Sequence, residues 1–394
     1  MLEHSSNTSN APQSEHFFLP PGYWFVSILV FFMFIPFLSD AGEKTIPPVR
    51  MEKGRLVYTS DSLGNRIPDY SYCGYLASNE KIPTVPVKVI IPAIDGDATA
   101  ILQKAIDYVA ERPIDKNGFR GAILLEPGRF HIEGRLKITS SGIVIRGSGF
   151  SENKTTLIAS GISRETLFRI EGEKQKVNNK QLQITDQYVP VNAFSFSVEN
   201  TKGLKHGTKI FITRPSTPKW IHQLKMESYG GETNWLGWKA GERNIVWERT
   251  ITKVEGNKVT IDAPLTTALD KKYGGGYLNT FEWNGRVTKV GIENIHLEST
   301  YNPENLKDEE HCWNAVSFEN ARDCWVRQVT FKHFAGSAVA TFGTTSRITV
   351  EDCIAKEPIS EEAAYRRNSF FTSGQQVLFQ RCYAEFGWHD FSTG

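Results

Sequence analysis

The sequence is poor in net charge, in cysteine and in compact catalytic signatures. Lys and Arg total 45 against 44 Asp and Glu, a formal net charge of +1. That balance excludes the strong basic field a nucleic-acid binder needs, while leaving room for a local basic site. The five cysteines, Cys73, Cys312, Cys324, Cys353 and Cys382, are odd in number and form no C-x-x-C pair. A zinc site or a dense disulfide framework is therefore not expected. Neither a Gly-rich phosphate loop nor a nucleophilic serine motif is present. The first 41 residues hold no Lys or Arg.

What is there is aromatic and turn-forming: 24 Phe, 13 Tyr, 9 Trp and 32 Gly in 394 residues. With 40% apolar and 23% charged residues the chain reads as globular, and its length suits one large domain with insertions or a few ordinary ones. Residues 23–38, YWFVSILVFFMFIPFL, form an almost unbroken apolar run, shorter than the ~20 residues of a spanning helix. Ser39-Asp40-Ala41 follows with small residues where a signal peptidase reads. Residues 1–41 are thus read as a secretory signal cut after Ala41. An uncleaved N-terminal anchor, the only membrane attachment expected, is the competing reading.

Residues 42–92 are rich in Pro, Gly and polar side chains and read as an extended segment lying on a larger body. In 93–172, DGDATAILQKAIDYVAERP predicts a helix that Asp97 caps and Pro113 ends, with Ala98, Ile101, Leu102, Ala105, Ile106 and Val109 as its apolar stripe. The runs GAILLEPGRFHI and SGIVIRGSG predict short strands. Residues 173–280 break the rhythm and read as an inserted small β subdomain, with paired strands around Glu255-Gly256-Asn257 and with Trp220, Trp235, Trp238 and Trp247 inside it.

In 281–394 four octads align without gaps: VGIENIHL from Val290, CWVRQVTF from Cys324, ITVEDCIA from Ile348 and VLFQRCYA from Val377. Their first, third, sixth and eighth residues are apolar or small, and the middle pair is polar. Strict strand alternation cannot give that phase change, but a bend at the polar pair can. Repeats of this size stack, so the expectation is an all-β parallel solenoid. Cys353 and Cys382 share the sixth slot with Ile295 and Val329 and are expected to stack inside the coil as small apolar residues.

On the GDATAILQKAIDYV helix, the GAILLEPGRFHI strand–turn–strand and SGIVIRGSGF, the chain resembles the pectate-lyase-like right-handed parallel β-helix superfamily. The resemblance covers about residues 90–172 and 285–394. It implies a right-handed coil opened by a capping helix, in a group of secreted bacterial carbohydrate-active proteins. The group also includes glycosidases, epimerases and adhesins, so the resemblance is specific for fold rather than for activity. The chain stops at FGWHDFSTG, directly after a strand, and is read as a piece of a longer protein.

A packed coil interior leaves function to the outer face and loops. The candidate loops are DEEHCW at 308–313, KHFAGS at 332–337, EEAAYRRNSFF at 361–371 and GWHD at 387–390. Cleavage of a uronate polymer by β-elimination needs a cation on the sugar carboxylate, a base and a proton donor. Arg366 and Arg367 are the expected clamp, His389 the base with His333 as the other imidazole, and Tyr365 the proton donor. Trp313, Trp388 and His311 are the expected substrate contacts. No cofactor is required, although Ca2+ held by the DEEH acids would serve in place of an arginine. Each residue also has a plain structural use. The arginines can pair with Glu361 and Glu362, the tryptophans can pack corners, and DEEH can be a solvated acidic run. The expected partner is an acidic polysaccharide at the cell surface, in the periplasm or outside the cell, and the expected activity is that of a lyase. A glycoside hydrolase and a non-catalytic glycan-binding coil are the alternatives.

Overall fold

The computed structural model of the chain describes residues 47–174, 176–177 and 180–394. The apolar run at 23–38 and the expected cleavage point lie outside the described residues. Among those described, no helix is long and apolar enough to cross a membrane.

The chain is all-β in its bulk and is built as stacked coils. The four octads pair in parallel in the register their alignment requires: Ile292 beside Val326, Val326 beside Val350, and Val350 beside Phe379. The same column runs back through Ile145 and Ile123 to Val89. Three coils therefore precede the four octads. They are hard to see in sequence because their two arms, such as Gly121–Leu125 and Gly128–Ile132, are joined by different corners. These strands form a twelve-stranded sheet paired throughout in parallel, and a second, six-stranded parallel sheet closes the coil. Its inward column is Phe168, Val316, Val339, Phe370 and Phe391. Leu102, Ala105, Ile106 and Val109 of the helix Thr99–Ala110 join the same core, whereas Ile101 from the expected stripe is 38% exposed. Asp97 accepts from Thr99 N at 2.9 Å, one residue outside the N-cap position, which Ala98 occupies.

The bend is a left-handed residue. The fifth slot of each octad, Asn294, Gln328, Asp352 and Arg381, has φ between 52° and 57°. The residue before each octad, Lys289, Asp323, Arg347 and Gln376, is left-handed too. In the last three octads the tenth slot, His333, Glu357 and Phe386, repeats it. A left-handed residue reverses the side to which the next side chain points, so slots three and six both face inward. Ile295, Val329 and Cys353 are accordingly 0% exposed in one stack, with Cys382 half-buried against it. Burial pushes the thiols of Cys312 and Cys324 up to about 12, so neither is a nucleophile.

The segment before the coils lies across their outer face. Tyr75 packs edge-on to Trp325 at 5.2 Å, its N–H donates to Thr349 Oγ1, and Leu76 N donates to Asp323. Trp325 in turn covers Gly291, where an added Cβ would fall 2.2 Å from the indole. Beside it Arg146, Glu293, Arg327, Glu351 and Gln380 stack as a ladder, and Glu293, 2% exposed at its side chain, takes Arg146 at 2.6 Å and Arg327 at 2.8 Å. The strands Lys209–Arg214, Ile245–Glu255, Lys258–Ile261 and Tyr277–Glu282 belong to a separate antiparallel sheet with its own apolar cluster, and Gly256-Asn257 turns its hairpin.

Because the corner costs a non-glycine residue about 1–2 kcal/mol, exposed Gln328 is its simplest probe. Gln328→Gly is expected to raise the urea midpoint and Gln328→Val to lower it. Equal midpoints would mean that the corner is unstrained.

Candidate functional site

Every chain passage from the wide sheet to the narrow one crosses the same corner, so the loops from successive coils stack on one flank. The loops follow Ser299, Lys332, Lys356 and Ala384, and re-enter at Asn314, Ser337, Asn368 and His389. Asn314 pairs with Ser337 and Asn368 with His389. All eight residues expected from the sequence lie on this flank: His311, Trp313, His333, Tyr365, Arg366, Arg367, Trp388 and His389.

Their individual placements differ from the expectation. Arg366 grips Glu309 through Nε and, at 3.0 Å, through Nη2. Arg164 reaches the same carboxylate at 3.5 Å, and both guanidiniums lie over Trp313, at 5.8 and 5.6 Å. Arg366 holds the Glu309 carboxyl below the usual carboxylate range and is itself kept charged. The fork expected for a sugar carboxylate therefore already holds a protein one. It is supplied by the neighbouring loop and not by Glu361 or Glu362. Arg367 donates to Glu362 at 2.9 Å and to the Ser360 carbonyl at 2.5 Å, and its own carbonyl accepts from Trp388 N and His389 N. Tyr365 lies against Trp313 at 5.4 Å with its ring 62% exposed, and Trp388 is 48% exposed. His389 is exposed beside Trp388.

His311 is buried as a staple. Its Nδ1 lies 2.9 Å from Ser299 Oγ and its Nε2 lies 2.9 Å from the Ile359 carbonyl, which joins two loops. Among the described residues no group of three or more His, Cys, Asp or Glu side chains is placed to hold a metal ion. The acids of DEEH are turned to other partners. Asp308 accepts from Asn302 N and Glu310 N, and Glu310 meets Arg164 at 2.6 Å.

The most chemically suggestive group surrounds His333. Its Nε2 is 3.3 Å from Glu357 Oε2 and its Nδ1 is 3.7 Å from Glu298 Oε1, so the imidazole stands between two carboxylates. Tyr301 meets the ring edge-on at 4.7 Å. Burial pushes the His333 pKa below the ordinary histidine value, Lys332 adds to this, and the two glutamates oppose it. The ring is thus neutral at neutral pH. The neighbouring His296 ring, with His333 and Arg129 adding their fields, holds Glu298 below the usual range. Sequence reasoning missed Glu298, Glu357, Tyr301 and Arg164. A signal for one of them existed: the slot after each octad is charged throughout, as Glu298, Lys332, Lys356 and Glu385.

No protein-family model matches the chain, and a search of curated proteins finds no match. Solved structures that align with it include three bacteriophage tailspikes. That of Acinetobacter baumannii phage AP22, solved with a capsular saccharide, is 10% identical with a TM-score of 0.32, over 75% of this chain and 49% of that one. The tailspike of Pseudomonas phage LKA1 is 13% identical with a TM-score of 0.32, over 72% and 52%. That of E. coli phage HK620 is 12% identical with a TM-score of 0.34, over 85% and 38%. The chain thus spans about half, or less, of the length of each.

The lowered pKa of His333 links to stability. Between its folded value and the ordinary value near 6.5 the unfolded chain binds the extra proton. Stability is complete above that window and falls as pH drops through about 6.5. Urea midpoints measured from about pH 8 to 5.5 should decline for the native chain and decline less for His333→Gln. Parallel curves would refute the burial of a neutral ring.

Proposed function

We propose that the chain is a right-handed parallel β-helix, with residues 173–280 inserted between its coils, that binds polysaccharide along the loop flank outside the cell. We infer further that it cleaves uronate-containing glycan there by β-elimination, one of the several activities that a pectate-lyase-like coil hosts. The observation that carries this reading is the neutral imidazole of His333 between Glu298 and Glu357, on the flank where exposed rings gather.

In this reading His333, and not His389, is the base. It is held in the proton-accepting form, which is what removal of the sugar C5 proton needs. As that proton leaves, its electron pair forms the C4–C5 double bond and the C4–O bond breaks onto the departing oxygen, which Tyr301 protonates. The cation for the sugar carboxylate is Lys332. It lies 3.6 Å from Glu357 and 3.8 Å from Glu152, outside hydrogen-bond distance of either. Arg366 and Arg367 fix the loops instead. Tyr365 and Trp388 present aromatic faces on which pyranose rings can lie. Hydrolysis is less well served, because two working carboxylates need the scissile bond or a water between them, and here an imidazole fills that space. A non-catalytic glycan binder is the second reading. The closed pairs of Arg366 and Arg367 favour it, since binding needs only the exposed rings.

The test is turnover of a panel of uronate polysaccharides by the full chain, read as absorbance near 235 nm (roughly, from the unsaturated product) alongside reducing ends. Absorbance is expected to rise with one of them, and His333→Ala to slow that rise by about 10²–10⁴-fold. Reducing ends without absorbance would mean hydrolysis. Retention of glycan with neither signal would mean a binder.

A further inference from the structure

A second cleft lies at a different corner of the coils, where chain returns from the narrow sheet to the wide one. Two cavities, of about 220 and 190 Å3, adjoin there, and Val246 and Gln375 line both. Three parts of the chain converge on this cleft: the segment at 69–73, the antiparallel sheet, and the coil turns at 343–345 and 375–376. We propose that this groove is a glycan-binding site separate from the loop flank, and that it takes an uncharged pyranose chain.

The groove is preformed. Glu248, 4% exposed at its side chain, is held by Arg286 through both oxygens at 2.7 and 2.8 Å and by Arg322 at 2.6 Å. Glu248 N donates to Gln375 Oε1 at 2.9 Å, which ties the sheet to the coil turn. Arg249 spends its guanidinium on the carbonyls of Ala263, Pro264 and Glu248 and so fixes the far wall. A buried charge network of this kind makes a rigid floor, because removing one partner strands the other.

The lining defines the ligand. Tyr70, 63% exposed, and half-buried Tyr72 supply ring surface at one end and half-buried Phe211 at the other, with Trp247 and Trp283 buried behind them. Gln375 sits where the two cavities meet. With its amide oxygen committed to Glu248 N, its Nε2 has no acceptor among the described residues and is available to a hydroxyl. Flat rings with a few polar groups suit a sugar. Charge selects an uncharged one: Arg249 and Arg286 are buried and bonded within the protein, and the exposed acid Asp69 would repel a uronate. This site stands apart from the elimination reading, since it shares no residue with the His333 group.

The test is calorimetric titration of the full chain with cellohexaose, maltohexaose, xylohexaose and, as the acidic comparison, trigalacturonate. At least one neutral hexaose is expected to bind. Tyr70→Ala and a blocking Val246→Lys should each weaken it by about tenfold or more, whereas His333→Ala and Trp388→Ala should leave it unchanged. Both groove positions are exposed at 63% and 39%, so the variants should keep the native melting temperature. Absence of binding by every neutral probe would overturn the proposal. So would binding that survives both groove variants, or binding that is lost with Trp388→Ala. Elimination activity is read separately, so either site can fail alone.

Discussion

The left-handed residue at each coil corner is the constraint on which the rest of the molecule depends. Asp323, Gln328 and His333 carry it at five-residue spacing, as do Arg347, Asp352 and Glu357, and Gln376, Arg381 and Phe386. Among these only the two aspartates and His333 are of residue types that adopt the conformation with any ease. The others are held there by the packing that the bend produces: an inward column from Val89 to Phe379 with each coil in register on the last. A one-residue slip at any corner would turn the apolar set outward along the whole arm, so packing enforces a backbone state that local preference does not.

That register decides where chemistry can occur. It delivers the loops to one flank and the returning turns to another corner, and the side chains at each place then choose partners from neighbouring coils. The resulting ion pairs differ in worth. The pair of Arg366 and Glu309 is partly exposed and orients loops more than it stabilises them. Glu248 and Glu293 are buried and depend on their arginines, so they act as locks. The flank and the groove are both consequences of one repeat, but the flank has proton-handling groups and the groove has rings and an amide.

The octad pattern made much of the fold legible. The phase change between slots three and six, read as a bend, gives the pairing of Ile292 with Val326 and of Val326 with Val350 and the stacking of Cys353 on Cys382. The flank was legible as well, since loops after equivalent strands must stack. The partners were not. Arg366 meets Glu309, 57 residues away, and His333 meets Glu298 and Glu357 in the two adjoining coils. Such pairs depend on loop heights and side-chain reach, which no period encodes. The same limit explains why Arg366 and Arg367 looked available: their acids are near in space but only Glu362 is near in sequence. The groove was invisible because its walls come from three segments far apart in sequence, at 69–73, in the antiparallel sheet and at the coil turns.

Hydrogen–deuterium exchange of the full chain, with and without the uronate polysaccharide that gives the strongest retention, tests the stacked flank most directly. If the coils bring the loops together, protection should appear at once in residues 300–313, 333–336, 357–367 and 385–388, and the corner at 343–345 should be unaffected. Protection confined to a single loop, or spread equally over both corners, would contradict the shared flank and the site built on it.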